Sequence, residues 1–184
     1  MPENDLSISF IWKSFLAGDK KAFACLYDLH ADAMFRYGTK LCNDESLVMD
    51  AIQEIFLDLY LKRERNKTNP ENLRFYLFLA LKRNLIKKIK RLRNFVGEKD
   101  FETNFEPEYS IEKNIIEKEE EMEMNHRIGD LLRKLPPRQK EAMYLRFYEM
   151  MEYKEIAQML QIEVESVRIQ VFRALKTIRE IIRK

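Results

Sequence analysis

Apolar residues recur along this chain at helical spacing, and the most regular stripes lie near its C-terminal end. Tyr153, Ile156, Ala157 and Leu160 fall at i, i+3, i+4 and i+7, on one face of a short helix. Gln161, Ile162 and Glu163 interrupt the pattern, and Val164, Val167, Val171, Ala174, Leu175 and Ile178 then begin a second, longer stripe. Ala157 is small where two such helices would cross, and Ile162 is an apolar turn residue that can pin them, so the spacing predicts a helix-turn-helix whose second helix could enter a major groove. Gln161 stands where glycine is usual, and Glu163 where Ser, Thr or Asp is the preferred cap. On spacing alone, a two-helix corner with a solvated charged face is an equal reading.

The same periodicity predicts helices upstream. Ile8 to Leu16 forms a short apolar helix stopped by Gly18, and Asp19 is a good cap for the next. Ala22, Phe23, Leu26, Tyr27, Leu29, Met34, Tyr37 and Leu41 mark a long amphipathic helix to about Cys42. Asn43-Asp44 caps a third, with Leu47, Ala51, Ile52, Ile55, Phe56, Leu59 and Tyr60 inward and Asp50, Gln53, Glu54, Leu57 and Asp58 facing elsewhere. Lys62 to Glu71 lacks a period and reads as a loop closed by Asn69-Pro70. From Leu73, the residues Leu77, Ala80, Leu81, Leu85, Ile89 and Leu92 mark a fourth helix. Met124 to Leu135, broken by Pro136-Pro137, and Arg138 to Tyr148 are two more.

Composition agrees with an all-α protein, since 4 Gly and 5 Pro in 184 residues are few for a turn-rich sheet. The formal charge of +2 hides a strong asymmetry. Lys62 to Arg93 holds twelve Lys or Arg against two acids, whereas Glu98 to Glu123 holds eleven acids against three lysines. The acidic stretch also contains Gly97 at its edge and Pro107, so it reads as a linker, a solvated tether or a segment that folds against basic surfaces. The expected architecture is two small helical domains, residues 1–95 and 124–184, joined by an acidic linker at 96–123, the second a winged-helix-like four-helix domain containing the helix-turn-helix.

Candidate chemistry lies on the basic faces. On the second helix of the corner, Glu165, Ser166, Arg168, Ile169, Gln170, Phe172, Arg173 and Lys176 fall away from the apolar stripe. They combine cations for phosphates with side chains that can read base edges. On the fourth helix, Lys82, Arg83, Lys87, Lys88, Lys90, Arg91 and Arg93 form the footprint of a phosphate backbone, with Asn84 among them as a base-reading candidate. Phe75, Tyr76 and Phe78 could stack on unpaired bases or belong to the core. The loop residues Arg65, Asn66, Lys67 and Thr68 could receive a base rotated out of a duplex or be a mobile connection. Leu57 among acids suits a protein interface, although single exposed leucines are ordinary.

Two longer runs resemble a known family. Leu135-Pro136, Arg138 and Glu141, Tyr144-Leu145-Arg146-Phe147, Glu155-Ile156-Ala157 and Ser166-Val167-Arg168 stand in the order and spacing of the C-terminal domain of bacterial RNA polymerase sigma factors, especially the extracytoplasmic-function group. That resemblance implies −35 recognition and contact with the polymerase β flap. Asp50 to Tyr60, DAIQEIFLDLY, resembles the family's polymerase-binding helix. It implies that Asp50, Gln53, Glu54, Phe56 and Leu57 dock on the β′ clamp helices; without the resemblance this is a solvated helix face. The basic fourth helix resembles the family's melting and −10-reading helix, and the matching loop holds a flipped −10 base. The resemblance further implies an anti-sigma factor as inhibitor, soluble or membrane-bound.

Other chemistries find no motif. There is no GxxxxGK, GxGxxG or HExxH, and the two histidines, His30 and His126, are isolated, so neither catalysis, a metal nor a cofactor is expected. Cys25 and Cys42 indicate reduced thiols rather than a disulfide framework. With no basic leader and no apolar run of spanning length, the chain is expected to be cytoplasmic, without direct membrane insertion. The expected function is promoter-specific initiation with core polymerase. The alternatives are a stand-alone regulator binding an operator without polymerase, and a polymerase-sequestering interaction protein that needs no DNA.

Overall fold

The structure is a computed structural model and describes residues 3–65, 72–96, 105 and 134–182. Among the described residues there are seven α-helices and no strand. Contacts divide the chain into two compact units, Met1–Glu102 and Thr103–Lys184.

In the first unit the helix ends fall where local chemistry requires them. Helix α1 (Glu3–Leu16) stops before Gly18, whose φ of +93° is readily adopted only without a Cβ. Asp19 then starts α2 (Lys20–Leu41), its carboxylate accepting from the Lys21 N–H at 2.7 Å. Asp44 does the same for α3 (Glu45–Leu61), accepting from the Leu47 N–H at 3.0 Å. A 3-10 turn at Arg63–Arg65 leads away from α3, and α4 occupies Leu73–Val96. Asn66, Lys67, Thr68 and the expected Asn69-Pro70 cap lie outside the described residues.

The core of this unit is aromatic and aliphatic in turn. Trp12, Phe15, Leu26, Met34, Tyr37, Ile52, Phe56, Leu59, Leu77, Phe78, Leu81 and Leu85 are buried, each such side chain contributing about 1.5–3 kcal/mol of transfer free energy. Ring contacts run from Trp12 to Phe15 (5.2 Å), Phe15 to Phe23 (5.9 Å) and Tyr27 to Phe56 (4.9 Å). Gly38 permits a close crossing of α2 and α3, because a Cβ there would stand 2.5 Å from Val48 Cγ1.

Two expected core positions prove exposed. Leu29 lies at the edge of the α2 stripe, and Leu92 is in the last turns of α4; both face solvent. Val48 on α3 and Leu73 at the start of α4, outside the expected stripes, are buried.

In the second unit, α5 (Pro137–Met143) begins at the proline pair, with Pro137 in the first turn, where its missing N–H is harmless. The prolines therefore open this helix. Tyr144–Tyr148 continues it as a widened π-type turn in which the Glu149 N–H reaches the Tyr144 carbonyl and the Met151 N–H reaches that of Leu145. Helix α6 (Tyr153–Leu160) and helix α7 (Val164–Ile182) form the corner. Glu155 caps α6 by accepting from the Glu152 N–H at 2.8 Å.

Gln161 takes up the left-handed conformation that the turn demands, φ 55° and ψ 45°, despite its side chain. The Ile162 N–H closes the turn onto the Ala157 carbonyl. Val167, Val171 and Ala174 are buried on α7, but Leu175 is exposed: eight residues beyond Val167, it is rotated about 80° off that stripe.

The expected first helix of this unit, Met124 to Leu135, lies outside the described residues except at its end. Within the stretch read as a linker, Phe105 is fully buried with its ring 5.7 Å from that of Tyr144, which stacks in turn on Tyr148 at 4.9 Å. At that residue the acidic stretch is packed and not solvated.

Candidate nucleic-acid interface

Three exposed helix faces carry the residues singled out from the sequence. On α3, Asp50, Gln53, Glu54 and Leu57 are exposed and fall at i, i+3, i+4 and i+7, so they share one face. Leu57 is 58% exposed among these acids and Leu61, one turn on, is exposed as well. Leu61 escaped the sequence reading, although its spacing of four from Leu57 marks the same face. Phe56 does not belong to it. It is 2% exposed and packed against Tyr27 and Phe23, so it supports the helix from beneath and offers no docking surface.

On α4, Arg83, Lys87 and Arg91 are exposed at four-residue intervals, with Lys90 beside them. Lys82 departs from this set: at 7% exposure it is buried. Four residues after Phe78 and three before Leu85, it falls on the same side of the helix as those buried residues. Asn84 and Lys88 are half-buried on the flank facing α3, where both meet Glu54. The Asn84 Nδ2 donates to Glu54 Oε2 at 3.0 Å, and the Lys88 Nζ donates to Oε1 at 2.7 Å. Lys88 first, and Asn84 second, hold the Glu54 carboxyl below its ordinary pKa. Of the aromatic candidates, Phe78 is in the core against Tyr37, Phe75 is half-buried, and Tyr76 is exposed near the start of α4. Arg65 is exposed at the end of the 3-10 turn.

On α7, Glu165, Arg168, Ile169, Phe172, Arg173 and Lys176 are exposed, and Ser166 and Gln170 are half-buried beside them. All eight therefore lie off the buried Val167–Val171–Ala174 stripe. Exposed Phe172 and Ile169 supply apolar groups of the kind that meet a thymine methyl, and the cations flank them. Arg168 donates to Glu165 at 3.1 Å, an exposed pair of little weight that leaves the guanidinium at the surface.

The tertiary fold adds a group that spacing did not show. Tyr153, at the start of α6, has the Arg146 guanidinium 4.8 Å and the Arg168 guanidinium 5.8 Å from its ring centre. It ties the π-type turn to the outward face of α7 by two cation–π contacts. Arg146 also donates to the Met151 carbonyl at 2.8 Å, next to Met150 with its φ of 55°. His30, isolated in the sequence, is held neutral: burial first and the Arg74 charge second lower its pKa to about 4.

Comparison with known proteins follows the same division. The family model described as Sigma-70 region 2 matches residues 26–95, and that described as Sigma-70, region 4 matches residues 125–178, together more than half of the chain. Among solved structures, CnrH in complex with the cytosolic domain of CnrY is similar at 18% identity and a TM-score of 0.55, covering 95% of this chain and 96% of that one. The sigma factor RpoE from Bartonella quintana, in complex with the anti-sigma factor NepR, is similar at 16% identity and a TM-score of 0.57, covering 89% of this chain and 98% of that one. At these identities the likeness is one of fold. No match was found among curated protein sequences. With region 2 covering the α3 and α4 faces and region 4 covering the α5–α7 corner, the chain belongs to the sigma-70 family, whose members direct RNA polymerase to promoters.

Proposed function

We propose that this chain is an extracytoplasmic-function sigma factor that binds core polymerase through α3 and reads a promoter through α4 and α7. The observation that carries the reading is that each unit exposes a cation-bearing helix face: Arg83, Lys87 and Arg91 in one, and Arg168, Arg173 and Lys176 in the other. An operator-binding regulator needs only one of these faces and no acid-flanked leucine. Two such faces, beside a polymerase-type α3, fit one factor gripping two neighbouring promoter elements.

In this reading, residues 1–95 form the polymerase-binding and −10 domain, 96–123 the linker and 124–184 the −35 domain. Asp50, Gln53, Glu54 and Leu57 meet the β′ clamp helices, joined by Leu61. Arg83, Lys87 and Arg91 neutralise phosphates near −10, with Tyr76 and Arg65 beside the separated strands. The outward face of α7 reads −35, and the corner meets the β flap. The binding energy of these contacts separates the strands, without catalysis by the chain itself.

CnrH and RpoE are each held by another protein, and an anti-sigma factor is the partner we infer here too. No described helix is long and apolar enough to cross a membrane, and we assign the chain to the cytoplasm, where polymerase works. The test is transcription in vitro. The purified chain added to core polymerase is expected to start transcripts at a defined promoter, and a core enzyme that gains no promoter specificity would overturn the reading.

A further inference from the structure

Glu54 bonds the polymerase-type face of α3 to the DNA-type face of α4. Both of its carboxylate oxygens are engaged, one by Asn84 at 3.0 Å and one by Lys88 at 2.7 Å. Asn84 and Lys88 are four residues apart on one side of α4, so a single carboxylate spans both. Holding the Asn84 amide by its nitrogen leaves its Oδ1 buried with no hydrogen-bond partner, an unfavourable arrangement that the charged bond to Glu54 sustains. Glu54 itself is accessible, its side chain 55% exposed, whereas that of Lys88 is 22% exposed. A polymerase group could therefore reach the carboxylate, while a phosphate cannot take the whole ammonium of Lys88 as long as Glu54 holds it.

We propose that Glu54 is a positioning residue that couples the two surfaces: in the free chain it holds Lys88 and Asn84, and a cation or N–H donor of the polymerase that takes over its carboxylate releases both toward DNA. The inference rests on the reading of α3 as the polymerase face. Because an ammonium shared with Glu54 is worth less to a phosphate, polymerase binding strengthens DNA contact, and by linkage DNA contact strengthens polymerase binding to the same degree. Lys88 thus opposes polymerase binding until DNA is present, although it is remote from that interface in sequence.

The experiment measures the affinity of the full chain for core polymerase without DNA, by fluorescence anisotropy. Lys88→Met, which keeps most of the packed stem, is expected to bind core about two- to fivefold more tightly than the parent, the range of an exposed ion pair. Glu54→Gln is expected to bind core more weakly, and Lys88→Met made in the Glu54→Gln background to bring no further gain. Lys88→Gln repeats the test if the methionine variant does not fold. Leu57→Ala separates the two levels of argument. If Leu57→Ala weakens core binding while Lys88→Met leaves it unchanged or weakens it, the coupling is refuted and the polymerase face stands; if the parent chain does not bind core, the underlying reading fails as well.

Discussion

The Arg146 guanidinium stands over the Tyr153 ring at 4.8 Å while it donates to the Met151 carbonyl at 2.8 Å, and so closes the turn that leads from the π-type segment into α6. A planar fork can stack and donate at once, which an ammonium on a flexible stem does poorly. Arg146→Ala is therefore expected to lower the stability of the second unit by about 1–2 kcal/mol, and Arg146→Lys to recover only part of it. Denaturant unfolding followed by circular dichroism checks this; an alanine variant as stable as the parent would show that the stack is ornamental.

Phe56 and Leu57 are neighbours in sequence and opposite in environment. Phe56→Ala empties a packed site and is expected to destabilise the first unit by about 3–5 kcal/mol. Leu57→Ala removes an exposed side chain, so stability should change by less than about 0.5 kcal/mol while binding to core polymerase weakens. Thermal melts set beside polymerase titrations separate the two effects. Equal loss of stability in both variants would contradict the burial pattern.

Arg168 and Arg173 both reach outward from α7. Replacing either by alanine is expected to weaken binding to a −35 element by about 1–3 kcal/mol if it reads a base, with reduced discrimination at one base pair. Lys176→Ala, a phosphate-type contact, should instead reduce the salt slope by roughly one unit without changing preference. Binding assays on base-substituted duplexes at several salt concentrations distinguish these outcomes. Wild-type discrimination in both arginine variants would assign them to the solvated face.

His30 has a folded pKa of about 4, below its ordinary 6.5, because burial and Arg74 disfavour the imidazolium. The unfolded chain therefore binds the proton first on acidification. The contribution of His30 is fully present above about pH 6.5 and is lost as the pH falls toward 4, at up to roughly 1.4 kcal/mol per pH unit. Lowering the pH over this window should destabilise the first unit, and His30→Gln should flatten that part of the profile. A parent and variant with parallel profiles would exclude His30 as the cause.

Gln161 occupies a left-handed conformation that disfavours any residue with a Cβ. Gln161→Gly is expected to raise the stability of the second unit by about 0.5–1 kcal/mol, after allowing for the freedom glycine gains when unfolded. Chemical denaturation measures it, and a less stable glycine variant would mean that the glutamine side chain makes a compensating contact.

What the amino-acid order settled by itself is the local grammar. Helical spacing of apolar residues, the caps Asp19 and Asp44, and the break at Gln161–Glu163 are short-range features, read without knowing what any helix touches. The outward set on α7 was legible for the same reason, because a stripe of Val167, Val171 and Ala174 leaves the remaining positions facing away. Burial at helix edges and ends was not legible. Leu29, Leu92 and Leu175 are apolar at near-correct spacing yet exposed, and Lys82 is charged yet buried, because those outcomes depend on where a neighbouring helix stops. Nor could spacing show contacts between segments far apart in sequence. Glu54 meets Asn84 and Lys88 across 30 and 34 residues, and Phe105 meets Tyr144 from inside an acidic stretch, since only tertiary packing brings groups so far apart in the chain within reach.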